Sequence, residues 1–307
     1  MAKLSVIFLG TSSATPTRSR NLPSILVERD GDGIMLDCGE GVQKELFRYR
    51  GGLSRLSTIL VTHLHGDHVT GLIGLLQTMT LSQRVSPVTI VGPTDLLRWL
   101  KTTFRILRIG LTFNIQFFPA RNGVVLRTSH YKIRAARANH SVEAFCYVLE
   151  EAKRPGVFHP EKARALGIPE GKMWARLQRG RPVRIRDRTY RPVDVLGPAR
   201  QGRKIGYSGD TRPSESLRRF FRKCSLLVFD STFHSKDRDK AVERKHSTSR
   251  EAATLAKRAN VGQLVLTHFS ARYRNVRPLL KDAREVFPNT ETAYDGLKLE
   301  IPYPASG

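Results

Sequence analysis

The hexapeptide His63-Leu64-His65-Gly66-Asp67-His68 constrains this chain more than any other stretch of it. Three imidazoles and a carboxylate fall within six residues, at the end of the β-branched, strand-like run LSTILVTH. Imidazole nitrogen and carboxylate oxygen are ligands that zinc and similar divalent ions take from proteins. In an extended turn residues 63 and 65 point the same way. Gly66 then lets the backbone bend, and Asp67 and His68 start a helix, where they can face a second ion. Adjacent side chains diverge, so one ion does not readily take all four. Two directional pairs predict two ions side by side, a density of ligands that capping or surface polar contacts do not need.

Three later strand-like runs end on the same residue types: YKIRAARANH at His140, KIGYSGD at Asp210 and LVLTH at His268. A lone His at a strand end is ordinarily structural, but four such ends together are not. In open α/β sheets ligands gather at the carboxyl ends of strands. An Asp between two ions can offer one oxygen to each, and the count closes at seven ligands. Around these runs, short strands alternate with helical patterns at 40–49 and 69–79, and DGDG at 30–33 signals a hairpin. The reading is an α/β fold.

Charge points to the class of partner. The 307 residues carry 52 Lys+Arg against 27 Asp+Glu, a net charge of +25, which favours a polyanion, RNA or DNA before an anionic membrane surface. Arginines outnumber lysines by 37 to 15, and Arg forks onto phosphate and stacks on bases better than Lys. Segment 151–191 holds 12 Lys/Arg against 4 Asp/Glu, with four glycines, four prolines and no long apolar strand. It reads as an insertion with short helices at 160–166 and 172–178. No window approaches the roughly 18 unbroken apolar residues of a membrane helix, and residues 1–10 lack a signal-peptide layout. Cys38, Cys146 and Cys224 are odd in number and far apart, which argues against a disulfide framework and for a reducing cytoplasm.

In order along the chain, SVIFLGTSSATP, THLHGDH, ANHS, SGDTR, HST and LTHFSARY resemble the metallo-β-lactamase superfamily, and more narrowly the ribonuclease Z family. HxHxDH alone selects only the superfamily. The narrower resemblance rests on PTRSRN at 16–21, on the insertion with GIPEG at 167–171, similar to the flexible arm of the family's short form, and on HSTSREAATLA at 246–256, similar to the helix that begins with a catalytic His. The resemblance implies an αββα sandwich of two mixed sheets with helices outside and metals at one edge. It implies one domain, 1–307, from which the basic arm 151–191 projects. It also implies two zinc ions per chain, or manganese: His63, His65 and His140 on the first, Asp67, His68 and His268 on the second, Asp210 bridging. The implied activity is endonucleolytic removal of the 3′ trailer from precursor tRNA, by a homodimer in which one subunit's arm serves the other's site.

Such a site suits phosphodiester hydrolysis, because two divalent ions about 3.5–4 Å apart clamp the attacking and leaving oxygens of an in-line displacement. Asp67 would orient the attacking water or take up its proton. His246 would protonate the departing 3′ oxygen; the capping pattern Thr248-Ser249-Arg250-Glu251 fixes it at a helix entry. The alternative for His246 is a capping or core role. The chain departs from the family at Asp230, where the family commonly has the Glu of HEATF positioning the catalytic His and this sequence reads FDSTF, shorter by a methylene. It departs again at Gly171-Lys172, where Gly-Pro is usual. Lys153, Arg154, Lys172, Arg176, Arg179 and Arg181 would meet tRNA phosphates, while Phe158, Trp174 and Tyr190 would stack on bases or anchor the arm. Arg18, Arg20, Asn21 and Arg272 would hold nucleotides beside the cleavage point. A hydrolase of small phosphodiesters or sulfate esters on the same fold is the competing reading; it accounts for the metals but leaves the basic arm without a use.

Overall fold

The computed structural model describes residues 2–304. The chain divides into two compact units, Met1–Glu150 with Lys204–Pro302, and Glu151–Arg203 with Tyr303–Gly307.

In the larger unit Leu4–Gly10 and Leu226–Asp230 are buried along their whole length, the pattern of strands covered on both faces. One sheet of seven strands runs, in spatial order, Lys298–Glu300, Leu4–Gly10, Ser24–Arg29, Asp32–Leu36, Leu56–Leu60, Val88–Gly92 and Ile115–Pro119. Its pairing is antiparallel as far as Asp32–Leu36 and parallel beyond. The second sheet of seven runs Thr290–Thr292, Gln263–Thr267, Leu226–Asp230, Lys204–Tyr207, Phe145–Glu151, Tyr131–Arg137 and Gly123–Arg127. It too is mixed, parallel from Lys204–Tyr207 through Thr290–Thr292 and antiparallel on its other side.

Three apolar clusters make the layers. Val6, Phe8, Ile25 and Ile34 of the first sheet pack with Ile133, Tyr147, Ile205 and Val228 of the second between the sheets. Ile7, Leu26, Met35 and Ile59, on the other face of the first sheet, pack against Leu72, Leu75 and Leu76 of the helix Gly71–Leu81. Cys146, Val148, Leu227 and Phe229 pack likewise against Ala252, Ala253 and Ala256 of the helix Ser249–Arg258. The order is helix, sheet, sheet, helix, as expected. All three cysteines are buried and free, and no helix among the described residues is long and apolar enough to cross a membrane.

Local sequence accounts for the joints. Asp30 and Gly31, at φ 46° and 98°, close a two-residue hairpin that pairs Arg29 with Asp32, the turn that the DG dipeptide favours. Thr248 caps Ser249–Arg258 by accepting from the Glu251 amide, and Glu251 returns the bond in a full capping box. Gly66 corrects the sequence reading. It is the first residue of the helix Gly66–Val69, outside the positive-φ set, and a Cβ there would stand 3.6 Å from Thr70 Cγ2. The change of direction falls on His65, extended at ψ 146°. A nearby glycine that sterics do require is Gly71, whose added Cβ would lie 1.9 Å from the Gly39 carbonyl oxygen.

In the smaller unit, Ala163, Ile168, Leu177, Val183, Tyr190 and Val195 form a separate core. The helices Pro160–Ala165 and Lys172–Gln178 and a hairpin of Val183–Ile185 with Arg188–Tyr190 surround it. Tyr303 lies between two guanidinium groups, Arg154 at 3.5 Å and Arg203 at 4.0 Å from its ring centroid.

These two glycines separate in one experiment. In urea titrations of the metal-free protein, Gly71→Ala is expected to lose about 3 kcal/mol of stability through the backbone clash. Gly66→Ala is expected to stay within about 0.5 kcal/mol of the parent or exceed it.

Candidate metal centre and active site

The strand ends deliver their polar residues to one place. His63 follows Leu56–Leu60, Asp210 follows Lys204–Tyr207, Asp230 ends Leu226–Asp230 and His268 follows Gln263–Thr267. His140 lies in the turn beyond Tyr131–Arg137. Donor atoms of His63, His65, His140 and Asp210 lie within 4.8 Å of one another, as do those of Asp67, His68 and His268, and those of Asp210, Asp230, His246 and His268. All seven predicted ligands and both predicted positioning and proton-transfer residues therefore meet. Asp210 is central: Oδ2 lies 3.6 Å from His63 Nε2, 3.4 Å from His68 Nε2 and 3.9 Å from His140 Nε2, while Oδ1 lies 3.3 Å from His268 Nε2.

Outer hydrogen bonds fix which ring nitrogen faces inward. The His140 Nδ1–H donates to the Lys245 carbonyl at 3.1 Å, and the His68 Nδ1–H to Asp37 Oδ2 at 2.7 Å. The Thr62 hydroxyl gives its one hydrogen to Asp37, so at 2.9 Å it accepts from His63 Nδ1. In the same way the Thr232 hydroxyl donates to Asp230 Oδ1 and accepts from His268 Nδ1 at 2.8 Å. A neutral imidazole carries one N–H, so each Nε2 of these four rings can present a bare lone pair to the centre.

That arrangement fits a cation. His65 Nδ1 lies 3.1 Å from His63 Nε2 and 3.2 Å from His140 Nε2, so lone pairs converge where hydrogens cannot satisfy them all. Asp210 Oδ1 is buried with no hydrogen-bond partner, which costs free energy unless something positive sits against it. Burial holds His63, His65 and His140 below 6.5, outweighing the pull of Asp210. Burial opposes charge on His68 as well, but Asp210 and Asp37 overcome it and hold that ring well above 6.5. In the metal-free chain a proton on His68 thus stands where a cation would serve the same carboxylates. Asp67 and Asp210 are held below the usual carboxylate range, because their imidazole partners outweigh the burial that would raise them.

His246 belongs to the other side of the cluster. Its Nδ1 lies 3.0 Å from Asp230 Oδ2, so the shorter carboxylate reaches the ring. Burial would lower its pKa, but Asp230 and Asp210 push it up to about 9. Arg212 donates to the His246 carbonyl at 2.6 Å and is paired with Glu251 of the capping box. The backbone of the ring and the helix entry are held by one guanidinium.

Two residues here escaped sequence reading. Asp37 accepts from the Thr62 amide and hydroxyl, His68 Nδ1 and the Tyr207 hydroxyl. Its one sequence signal is an Asp closing the run GIMLD. Thr232 joins Asp230, His246 and His268 through a single hydroxyl. Asp37 and His268 both stand in the left-handed region, at φ 57° and 63°, a cost that surrounding structure must sustain.

The loop candidates lie beside this centre. Ser12–Ser13 pairs with Phe269–Ser270, and the Ala14 amide donates to Asp67 Oδ2 at 2.8 Å. Arg18 is exposed. Arg20 instead donates to the Tyr273 carbonyl at 2.8 Å, and the Asn21 amide to Asp295. Arg272 donates to Ser270 Oγ and lies 5.1 Å over Phe233. In the smaller unit Lys153, Lys172, Arg176, Arg179 and Arg181 are exposed, whereas Arg154 is half-buried against Tyr303. Phe158 and Trp174 stack at 5.2 Å and, with Tyr190, belong to that unit's core.

A divalent ion such as zinc, at a hundredfold excess over Kd, is expected to stabilise the metal-free protein by about 2.7 kcal/mol. The rise in melting temperature should disappear in Asp210→Ala. A wild-type melt unmoved by divalent ions would contradict the reading of this cluster.

Residues 4–145 match the family model described as anti-Pycsar protein Apyc1, and residues 174–269 that of a beta-lactamase superfamily domain. Ribonuclease Z of Nitrosopumilus maritimus is 43% identical over 298 residues, spanning 97% of this chain and 100% of that protein. Ribonuclease Z of Methanosarcina acetivorans is 41% identical over 301 residues, 98% and 99% of the two chains. The crystal structure of the short form of human tRNase Z superposes with a TM-score of 0.72 at 25% identity, over 97% of this chain and 99% of that one. Identity at this level along the full length of its relatives, on a shared two-sheet sandwich, means that the chain belongs to the ribonuclease Z family of metallo-β-lactamase-fold endoribonucleases.

Proposed function

We propose that this protein removes the 3′ trailer from precursor tRNA by hydrolysis, leaving a 3′-hydroxyl on the tRNA, with two zinc ions per chain and manganese as the alternative. The observation that carries the reading is the juxtaposition of an Asp210-centred donor cluster with His246, a proton donor held by Asp230 at 3.0 Å. Nitrogen-rich donor sets of this kind suit zinc. His63, His65 and His140 would hold one ion, Asp67, His68 and His268 the other, and Asp210 both. When bound, the ions would offset the charge that develops on the phosphate oxygens.

The chain's own residues divide the remaining work. Asp67, steadied by the Ala14 amide, orients the attacking water and takes up its proton. His246 turns Nδ1 toward Asp230, which leaves Nε2 to protonate the departing 3′ oxygen. Asp230 accepts from the Thr232 amide and hydroxyl, so it is in place before substrate arrives. The exposed cations of Glu151–Arg203 contact tRNA phosphates and position without reading sequence. The same reading carries the family's homodimer, in which one subunit's arm serves its partner's site, and a cytoplasmic location, which the three free cysteines support. Sedimentation with and without tRNA tests the dimer.

Purified protein supplied with zinc or manganese should cut precursor tRNA at the discriminator base. His246→Ala should slow the single-turnover step by roughly 10²–10⁴; an unchanged rate would mean that another group protonates the leaving oxygen. Replacing Lys172, Arg176, Arg179 and Arg181 together by Ser should raise KM for precursor tRNA at least about tenfold and leave hydrolysis of a small phosphodiester unchanged. Equal loss on both substrates would undercut the arm's role in tRNA binding.

A further inference from the structure

Between the strand Tyr131–Arg137 and the helix Glu215–Phe220 lies a cleft of about 350 Å³. Its lining includes Asn122, Gly123, Arg134, Arg137, Arg219 and Phe220, and no carboxylate. Arg134 lies 5.4 Å over the Phe220 ring, a cation–π contact that uses none of its N–H donors on a carboxylate. Arg218 is tied to Glu215 at 2.7 Å, but among the described residues neither Arg134 nor Arg219 is paired with a carboxylate. Arg137 alone of the three has an acidic partner, Glu143 at 2.6 Å. Gly123 stands at φ 110° with no atom within 4 Å of a built Cβ, so a ligand can approach its backbone.

Arg134 and Arg219 bring two guanidinium charges without a carboxylate partner to one cleft, and an anion there offsets both. The cleft also lies close to the centre. Arg137 precedes His140 by three residues, so at most about 11 Å of extended chain separates them. We propose that this cleft binds a backbone phosphate of the RNA strand that carries the cleaved bond. The proposal rests on the endoribonuclease reading above. Arginine matches phosphate by a planar, two-pronged donor fork, and a polyanion threaded past His140 brings phosphates within reach. The bound phosphate lies on the trailer or on the acceptor end; both offer the same chemistry.

The test compares Arg134→Ser/Arg219→Ser with the charge-preserving Arg134→Lys/Arg219→Lys, after melting curves have established folding. The Ser pair should raise KM for precursor tRNA roughly 5–20-fold with kcat nearly unchanged, and should flatten the dependence of log KM on log salt by about one. The Lys pair should recover most of that loss. Hydrolysis of a small phosphodiester should not change. A penalty seen only with a long trailer places the phosphate on the trailer; an equal penalty with a single-nucleotide trailer places it on the acceptor end. Unchanged KM and salt slope in the Ser pair, or an equal loss on the small phosphodiester, would overturn the proposal. A direct titration with a short fluorescent single-stranded RNA, free of divalent ions, keeps the two readings apart. If the wild type fails to cut precursor tRNA, the function reading falls. Weaker binding by the Ser pair then still supports the cleft, and equal binding by both proteins rejects it.

Discussion

The buried carboxylate of Asp210 sets the terms for the rest of the site. It faces five imidazoles with one oxygen or the other, and Oδ1 has no hydrogen bond. Placing an ion in the interior is expensive unless opposite charge meets it with good geometry. In the metal-free chain that charge comes from His68 and His246, both held above the ordinary imidazole pKa. Their roles differ because their outer partners differ. His68 can surrender its proton to a cation and keep Asp37 as acceptor. His246, turned toward Asp230, keeps its proton, as the proposed transfer to the leaving oxygen requires.

The fold supplies this arrangement through the parallel halves of its sheets. Parallel strands release their carboxyl ends on the same side, so residues far apart in sequence, such as His63, Asp210 and His268, leave the core together. Asp37 and Thr232 then work as hubs, each fixing several rings or hydroxyls. Both sit one layer out from the converging donors, where they set tautomers rather than supply ligands. Partners of that kind orient ligands and tune their basicity.

The layers and the converging donor residues were legible in the sequence because their signals are dense or periodic. HLHGDH is contiguous, the capping box at 248–251 is a local code, and the strand runs are long enough for burial to show. Other features depend on contacts that the sequence does not order. Asp37 is a lone acid after a strand, and its importance arises from Thr62, His68 and Tyr207, which come together only in the folded chain. Gly66 suggested a bend, yet His65 makes it with ordinary extended dihedrals, while a nearby glycine that sterics do require is Gly71. The hairpin Val183–Ile185 with Arg188–Tyr190 is too short for alternation to reveal, and it turns at Arg186 in the left-handed region at φ 52°. Arg20 carries a charge suited to phosphate, and in the folded chain one of its five N–H donors is given to the Tyr273 carbonyl, a contact that the sequence does not announce.

In the proposed function, chemistry and recognition fall to different residues: the donor cluster is nearly free of arginine, and the exposed cations of the smaller unit and the cleft around Arg134 would meet the polyanion. In the proposed reaction water attacks phosphorus and the 3′ oxygen of the tRNA departs, and cleavage of precursor tRNA in oxygen-18 water distinguishes this from attack by the tRNA's own 2′-hydroxyl. The label is expected in the 5′-phosphate of the released trailer and not in the 3′-hydroxyl of the tRNA. An unlabelled trailer, with a 2′,3′-cyclic phosphate on the tRNA, would contradict it.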